Sequence, residues 1–151
     1  MKSLICVALL STVLVAADKA KDEGDQGRRK LQGTWQVLEE RHGDADPDEE
    51  GKLCQFIFEG DKLTITKEQK VIIEGTFTVD AGKTPPQIDM KVIRDDVNPN
   101  AGQTALGIYK IDGDKLKWCS AGPGRDDRPT EFVTKGADYL LVTMERVKKV
   151  K

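Results

Sequence analysis

The sequence predicts an all-β domain, an eight-stranded antiparallel up-and-down β-barrel, and three observations carry that prediction. Apolar and polar residues alternate with a period of two over eight short, evenly spaced segments. No stretch carries a convincing helical period. Three segments also share the order glycine, any residue, aromatic, any residue, β-branched: Gly33-Thr34-Trp35-Gln36-Val37, Gly75-Thr76-Phe77-Thr78-Val79 and Gly107-Ile108-Tyr109-Lys110-Ile111. Glycine weakens a strand interior, so three at one offset imply bends or close backbone approach, which barrel closure requires. A sandwich would share the first two observations but not the third.

Residues 1–17 read as a secretory leader, with Lys2, an apolar run from Leu4 to Ala17, and Val15 and Ala17 placed for a cut before Asp18. The run includes Ser11 and Thr12 and falls short of the ~20 residues that span a bilayer, so no membrane span is expected after cleavage. Residues 18–30 hold nine charges and no aromatic or β-branched residue, the composition of a charged flexible linker. The barrel domain is expected over residues 31–147, with a basic tail at 148–151.

The first strand is read over Leu31–Leu38, where Leu31, Gly33, Trp35 and Val37 share one face. Residues Arg41–Lys52, rich in Gly, Asp and Pro, form a loop. Leu53–Glu59 and Lys62–Thr66 then flank Gly60-Asp61, and Val71–Asp80 alternates most cleanly of all. Gln87–Ile93 alternates through Ile88, Met90 and Val92. Thr104–Ile111 and Lys115–Ser120 flank Asp112-Gly113-Asp114, where Asp-Gly supplies the positive φ of a tight hairpin. A charged loop rich in Gly and Pro precedes the last strand, Tyr139–Arg146.

Cleavage would leave 134 residues, enough for one domain with a single core. The leader takes one of 24 basic residues and none of the 26 acidic ones, for a formal net charge of −3. That balance is no nucleic-acid footprint. Cys54 and Cys119 remain, a pair that an oxidising compartment permits to bridge, though two thiols on unpaired strands equally stay free. Phase puts Cys54 with Phe56 and Phe58 and turns Cys119 outward with Lys115 and Lys117.

No constellation for catalysis stands out. The single histidine, His42, lies in a predicted solvated loop, without the packing and third group a triad needs. One histidine and two separated cysteines do not make a zinc site. Asp44-Ala45-Asp46-Pro47-Asp48 begins like a calcium loop, but Glu49 replaces the turn glycine and Gln55 the bidentate glutamate. Arg125 and Arg128 form a candidate clamp for an anion at a barrel mouth, set against the simpler reading of a loop held by its own ion pairs. No enzyme activity, metal or cofactor is called for.

The sequence resembles a known family. Leu31-Gln32-Gly33-Thr34-Trp35, Gly60-Asp61-Lys62-Leu63, Gly107-Ile108-Tyr109, Asp114-Lys115-Leu116 and Arg128-Pro129-Thr130-Glu131-Phe132 resemble the uncharacterised secreted lipocalin-like domain family of planctomycete-type bacteria, over about Leu31 to Arg146. The resemblance implies a lipocalin-like barrel whose Trp35 packs at the closed end with Arg146 lying across it. It implies no known activity. Inward residues are then expected to include Trp35, Phe56, Phe77, Tyr109, Trp118 and Met144. Eight strands enclose room for packed side chains or for one small ligand. The favoured expectation is an exported noncatalytic binding module, periplasmic or secreted, holding a small apolar ligand among Phe56, Phe77, Met90, Tyr109 and Trp118. The alternative is a filled scaffold whose outer face and loops contact a protein or an envelope polymer.

Overall fold

The computed structural model describes residues 12–150. Helix α1 (Thr12–Leu31) leads into eight strands: β1 (Gly33–His42), β2 (Cys54–Glu59), β3 (Lys62–Lys67), β4 (Lys70–Asp80), β5 (Gln87–Asp95), β6 (Thr104–Asp112), β7 (Lys115–Ala121) and β8 (Tyr139–Arg146). Each strand pairs antiparallel with the next, and β8 pairs with β1 to close the barrel. The predicted fold class is the observed one. A 3-10 turn, Glu50–Leu53, precedes β2.

Residues 18–30 are not a linker; they are the body of α1. The helix carries three Ala, three Lys and two Arg, which lose little freedom on coiling, and Arg28, Arg29 and Lys30 suit the negative end of its dipole. Its contact stripe is glycine instead of leucine. A Cβ on Gly27 would sit 2.7 Å from the Tyr109 hydroxyl and 3.1 Å from Ala81 Cβ, and one on Gly24 would sit 3.6 Å from the Val79 carbonyl. With Leu31 fully buried, these residues lay the helix against the end of β4. The leader expected over residues 1–17 lies outside the described residues up to position 11, and residues 12–17 begin α1.

The end of the barrel beneath α1 is closed. Trp35, Phe58, Leu63, Phe77, Leu116 and Met144 are buried there, with Phe58 edge-on to Phe77 at 5.1 Å between ring centroids. Arg146 lies over the Trp35 ring at 4.1 Å and donates to the carbonyls of Gln32 (2.6 Å) and Lys30 (2.7 Å). Trp35 Nε1 donates to the Leu31 carbonyl at 2.7 Å. Gln32 donates from its backbone to Arg29 and from its side chain to Arg28. The last four carbonyls of α1, which no helical partner reaches, are thereby all satisfied.

The three repeated glycines serve the closure expected of them. Gly33 adopts φ +112°, closed to most side chains. A Cβ on Gly75 would stand 2.4 Å from the Lys91 carbonyl oxygen, and one on Gly107 would stand 2.9 Å from that of Cys119. Neighbouring strands approach too closely there for any side chain.

All six residues expected to point inward are buried. Cys119 departs from its expectation: it is on the outward phase but fully buried. The segment after β7 folds back over the outer face, where the Val133 carbonyl accepts from Cys119 Sγ and Arg128 pairs with Asp89 of β5 and the Gly107 carbonyl of β6. Ile108, paired with Cys119 across β6 and β7, is buried with it.

Replacing Arg146 by Ala removes a stacked guanidinium and two charge-assisted hydrogen bonds, and should lower unfolding free energy by roughly 2–4 kcal/mol. Arg146→Lys should recover only part of that, since one ammonium lacks the fork that reaches both carbonyls. Urea midpoints of the two variants check this; equal stability of Ala and Lys variants would count against the latch.

Candidate functional site

The barrel is packed at one end and hollow at the other. A cavity of about 410 Å³ opens at the end away from α1, where β1, β5 and β7 finish and β2, β6 and β8 begin. Phe56, Met90 and Trp118 line it, with Phe56 and Trp118 edge to face at 5.9 Å. Ile65, Ile73, Val92, Ala105 and Leu140 continue the apolar wall, and Glu40, His42, Asp95 and Asn100 stand among the polar residues.

Of the five residues expected to face a ligand, Phe56, Met90 and Trp118 reach the cavity. Phe77 and Tyr109 do not line it. Phe77 packs on Phe58 at the closed end, and the Tyr109 hydroxyl reaches Gly27 of α1. Period-two alternation assigns a residue to the interior but not to a level along the barrel axis.

Glu40 was not singled out in the sequence, and a register shift explains why. The β1–β8 pairing slips between Val37 and Glu39, so that the strand carries one extra residue. Beyond the bulge the phase inverts, and Glu40 and His42 line the cavity where unbroken alternation would have placed Glu39 and Arg41. A second shift, between Glu74 and Gly75 in the β4–β5 pairing, accompanies Asp95 at the same rim. The 3-10 turn lies tight on Glu40: a Cβ on Gly51 would be 2.7 Å from Glu40 Cβ and 2.8 Å from Oε2.

The two rim carboxylates differ. Asp95 accepts from the backbone N–H groups of Val97 (2.9 Å) and Asn98 (2.8 Å) and from Asn100 Nδ2 (2.9 Å). Among the described residues no donor hydrogen-bonds the Glu40 carboxylate. Burial, and then the negative charge of Asp48, raise its pKa above the ordinary carboxyl value.

The bridge that the sequence permits between Cys54 and Cys119 does not form; both thiols are free. Cys54 faces the cavity and Cys119 the outside of the wall, on strands that do not pair. Burial, then the Glu40 charge, push the Cys54 thiol up, and burial pushes Cys119 up to about 11. Neither is a ready nucleophile at neutral pH.

Arg125 and Arg128 are engaged within the chain. Arg125 binds Asp127 (2.7 Å) and Asp138 (3.2 Å) and lies over Tyr139, and Arg128 binds Asp89 at 2.5 Å. The acidic loop before β2 is similarly occupied, with Asp44 accepting from the Gly136 N–H, Glu49 pairing with Lys52, and Glu50 pairing with Lys67. His42 Nδ1 lies 3.7 Å from Asp138. Among the described residues no three His, Cys, Asp or Glu side chains converge to hold a metal ion, and no helix is long and apolar enough to cross a membrane.

No family model, curated protein or solved structure matches this chain.

Two outcomes are expected. Folding disfavours the charged form of Glu40, so its carboxyl favours the folded state most below its ordinary value of 4.5, and that advantage is lost as pH rises through the raised folded value. Glu40→Gln has no charge to desolvate, so its urea midpoint relative to the native chain should climb between about pH 4 and pH 8; a constant offset would show that Glu40 titrates normally. Separately, Cys54 and Cys119 should react slowly with a thiol reagent in the folded protein and fully in denaturant, and a non-reducing peptide map should contain no peptide joining them.

Proposed function

We propose that this chain is an exported, noncatalytic binding module of lipocalin-like type that holds a small apolar molecule in its barrel. The observation that carries the reading is the one-ended cavity of about 410 Å³, apolar in its walls and sealed below by packed aromatic side chains. Ligand pockets fall at roughly 300–1,000 Å³ and combine apolar walls with a few polar groups, and this cavity has both properties. A molecule entering it would exchange water for Phe56, Met90 and Trp118, gaining about 25 cal/mol for each Å² of apolar surface buried. The basic start and apolar run at the N-terminus support export, and the resemblance to secreted lipocalin-like domains agrees with it.

The test is native mass spectrometry of the protein purified without detergent from the cells that export it. The expected result is an added mass that is reproducible and is lost on denaturation. A neutral apolar dye, N-phenyl-1-naphthylamine, should also brighten on addition. Ala105 lies in the wall, so Ala105→Phe fills the cavity and should weaken dye binding roughly tenfold or more, with the far-ultraviolet circular dichroism unchanged. A bare mass that stays bare after incubation with lipid and metabolite extracts, together with no dye response, would overturn the reading and leave the filled scaffold.

A further inference from the structure

The geometry points to a ligand of one charge class: a small molecule with an apolar body and a basic amine, its ammonium seated against Glu40 at the upper wall of the cavity. This rests on the binding-module reading and sharpens it.

Four observations carry it. The bulge in β1 turns Glu40 inward, onto a cavity whose other acidic lining residue is Asp95; among the described residues no Lys or Arg lines it. The Asp95 carboxylate is already taken by three donors, whereas no described donor hydrogen-bonds Glu40. The lysine near Glu40 is bound elsewhere, Lys67 of β3 pairing with Glu50, and the His42 ring lies 3.7 Å from Asp138. The 3-10 turn at Gly51 presses on the Glu40 side chain and blocks approach from that side, while Glu40 lines the cavity on the other.

Partial burial penalises the charged form of Glu40, and a group that supplies both a positive charge and N–H donors offsets that penalty. An alcohol supplies a donor without the charge. A carboxylic acid brings a second negative charge and is repelled. The remaining groups facing Glu40 are Asp48 from the loop after β1 and Cys54 from β2, with Glu50 of the 3-10 turn acting on Cys54; Asp48 adds to the negative potential and the buried thiol is neutral. Because the carboxyl must be ionised to hold an ammonium, amine affinity should fall as the solution is acidified through the raised pKa of Glu40, while alcohol affinity stays level.

The experiment measures binding of hexylamine, 1-hexanol and hexanoate, three probes with one apolar body, to the full purified protein by calorimetry near pH 8. The expected order is amine, alcohol, carboxylate, with the amine roughly ten- to a hundredfold tighter than the alcohol. Glu40→Gln should collapse that preference. The wild-type series stands alone if the variant folds poorly. Equal binding of amine and alcohol, or tightest binding of hexanoate, would overturn the amine assignment while leaving an apolar ligand in place. Failure of all three to bind, where the neutral dye also fails, would remove the cavity reading and this inference with it.

Discussion

The C-terminal end of α1 is the constraint on which the rest of the barrel depends. A helix ends with four carbonyls that have no partner in the helix, and burying them bare would cost more than most single contacts return. Here each is met by a donor from elsewhere: Gln32 twice, the Trp35 indole and the Arg146 guanidinium. The same guanidinium covers the indole face and binds the Gln32 carbonyl. One cluster therefore caps the helix, seals the closed end and fixes β8 beside β1, where Trp35 and Arg146 are register partners.

Packing at that end decides the character of the other. Large side chains from β1, β2, β4, β7 and β8 fill the interior beneath the level of Phe56 and Trp118. Above it, Ala105, Val92 and Leu140 line the wall, and the interior stays open. At the floor Trp118 meets Phe56 edge to face and lies tilted against Phe58. The two rim carboxylates, Glu40 and Asp95, come from places where strand pairing slips, because a bulge is the means by which a strand changes the face its residues present.

The strands were legible in the sequence because period-two alternation is local and repeated, and the last strand, Tyr139–Arg146, was read to its ends. The pairing of Trp35 with Arg146 was legible from the resemblance. The helix was not. Its inward stripe is Gly24, Gly27 and Leu31, and a stripe that works by letting backbones approach leaves no hydrophobic period to find. Glu40 escaped for another reason: two acids follow Leu38, and nothing in that run distinguishes a bulge from the start of a loop. Cys119 was correctly phased but wrongly exposed, since phase does not report that a long loop returns to cover it.

The cap on α1 joins residues more than a hundred positions apart: Lys30 and Gln32 meet Arg146 across sequence separations of 116 and 114. Contacts between the ends of a chain are the last to become available to a polypeptide that emerges from its N-terminus, and the most expensive in loop-closure entropy. Until Arg146 arrives, the Lys30 carbonyl is unmet, the indole face is bare and β1 has an open edge. A chain still being synthesised thus has no closed barrel, and the domain acquires its seal only when β8 is free to dock.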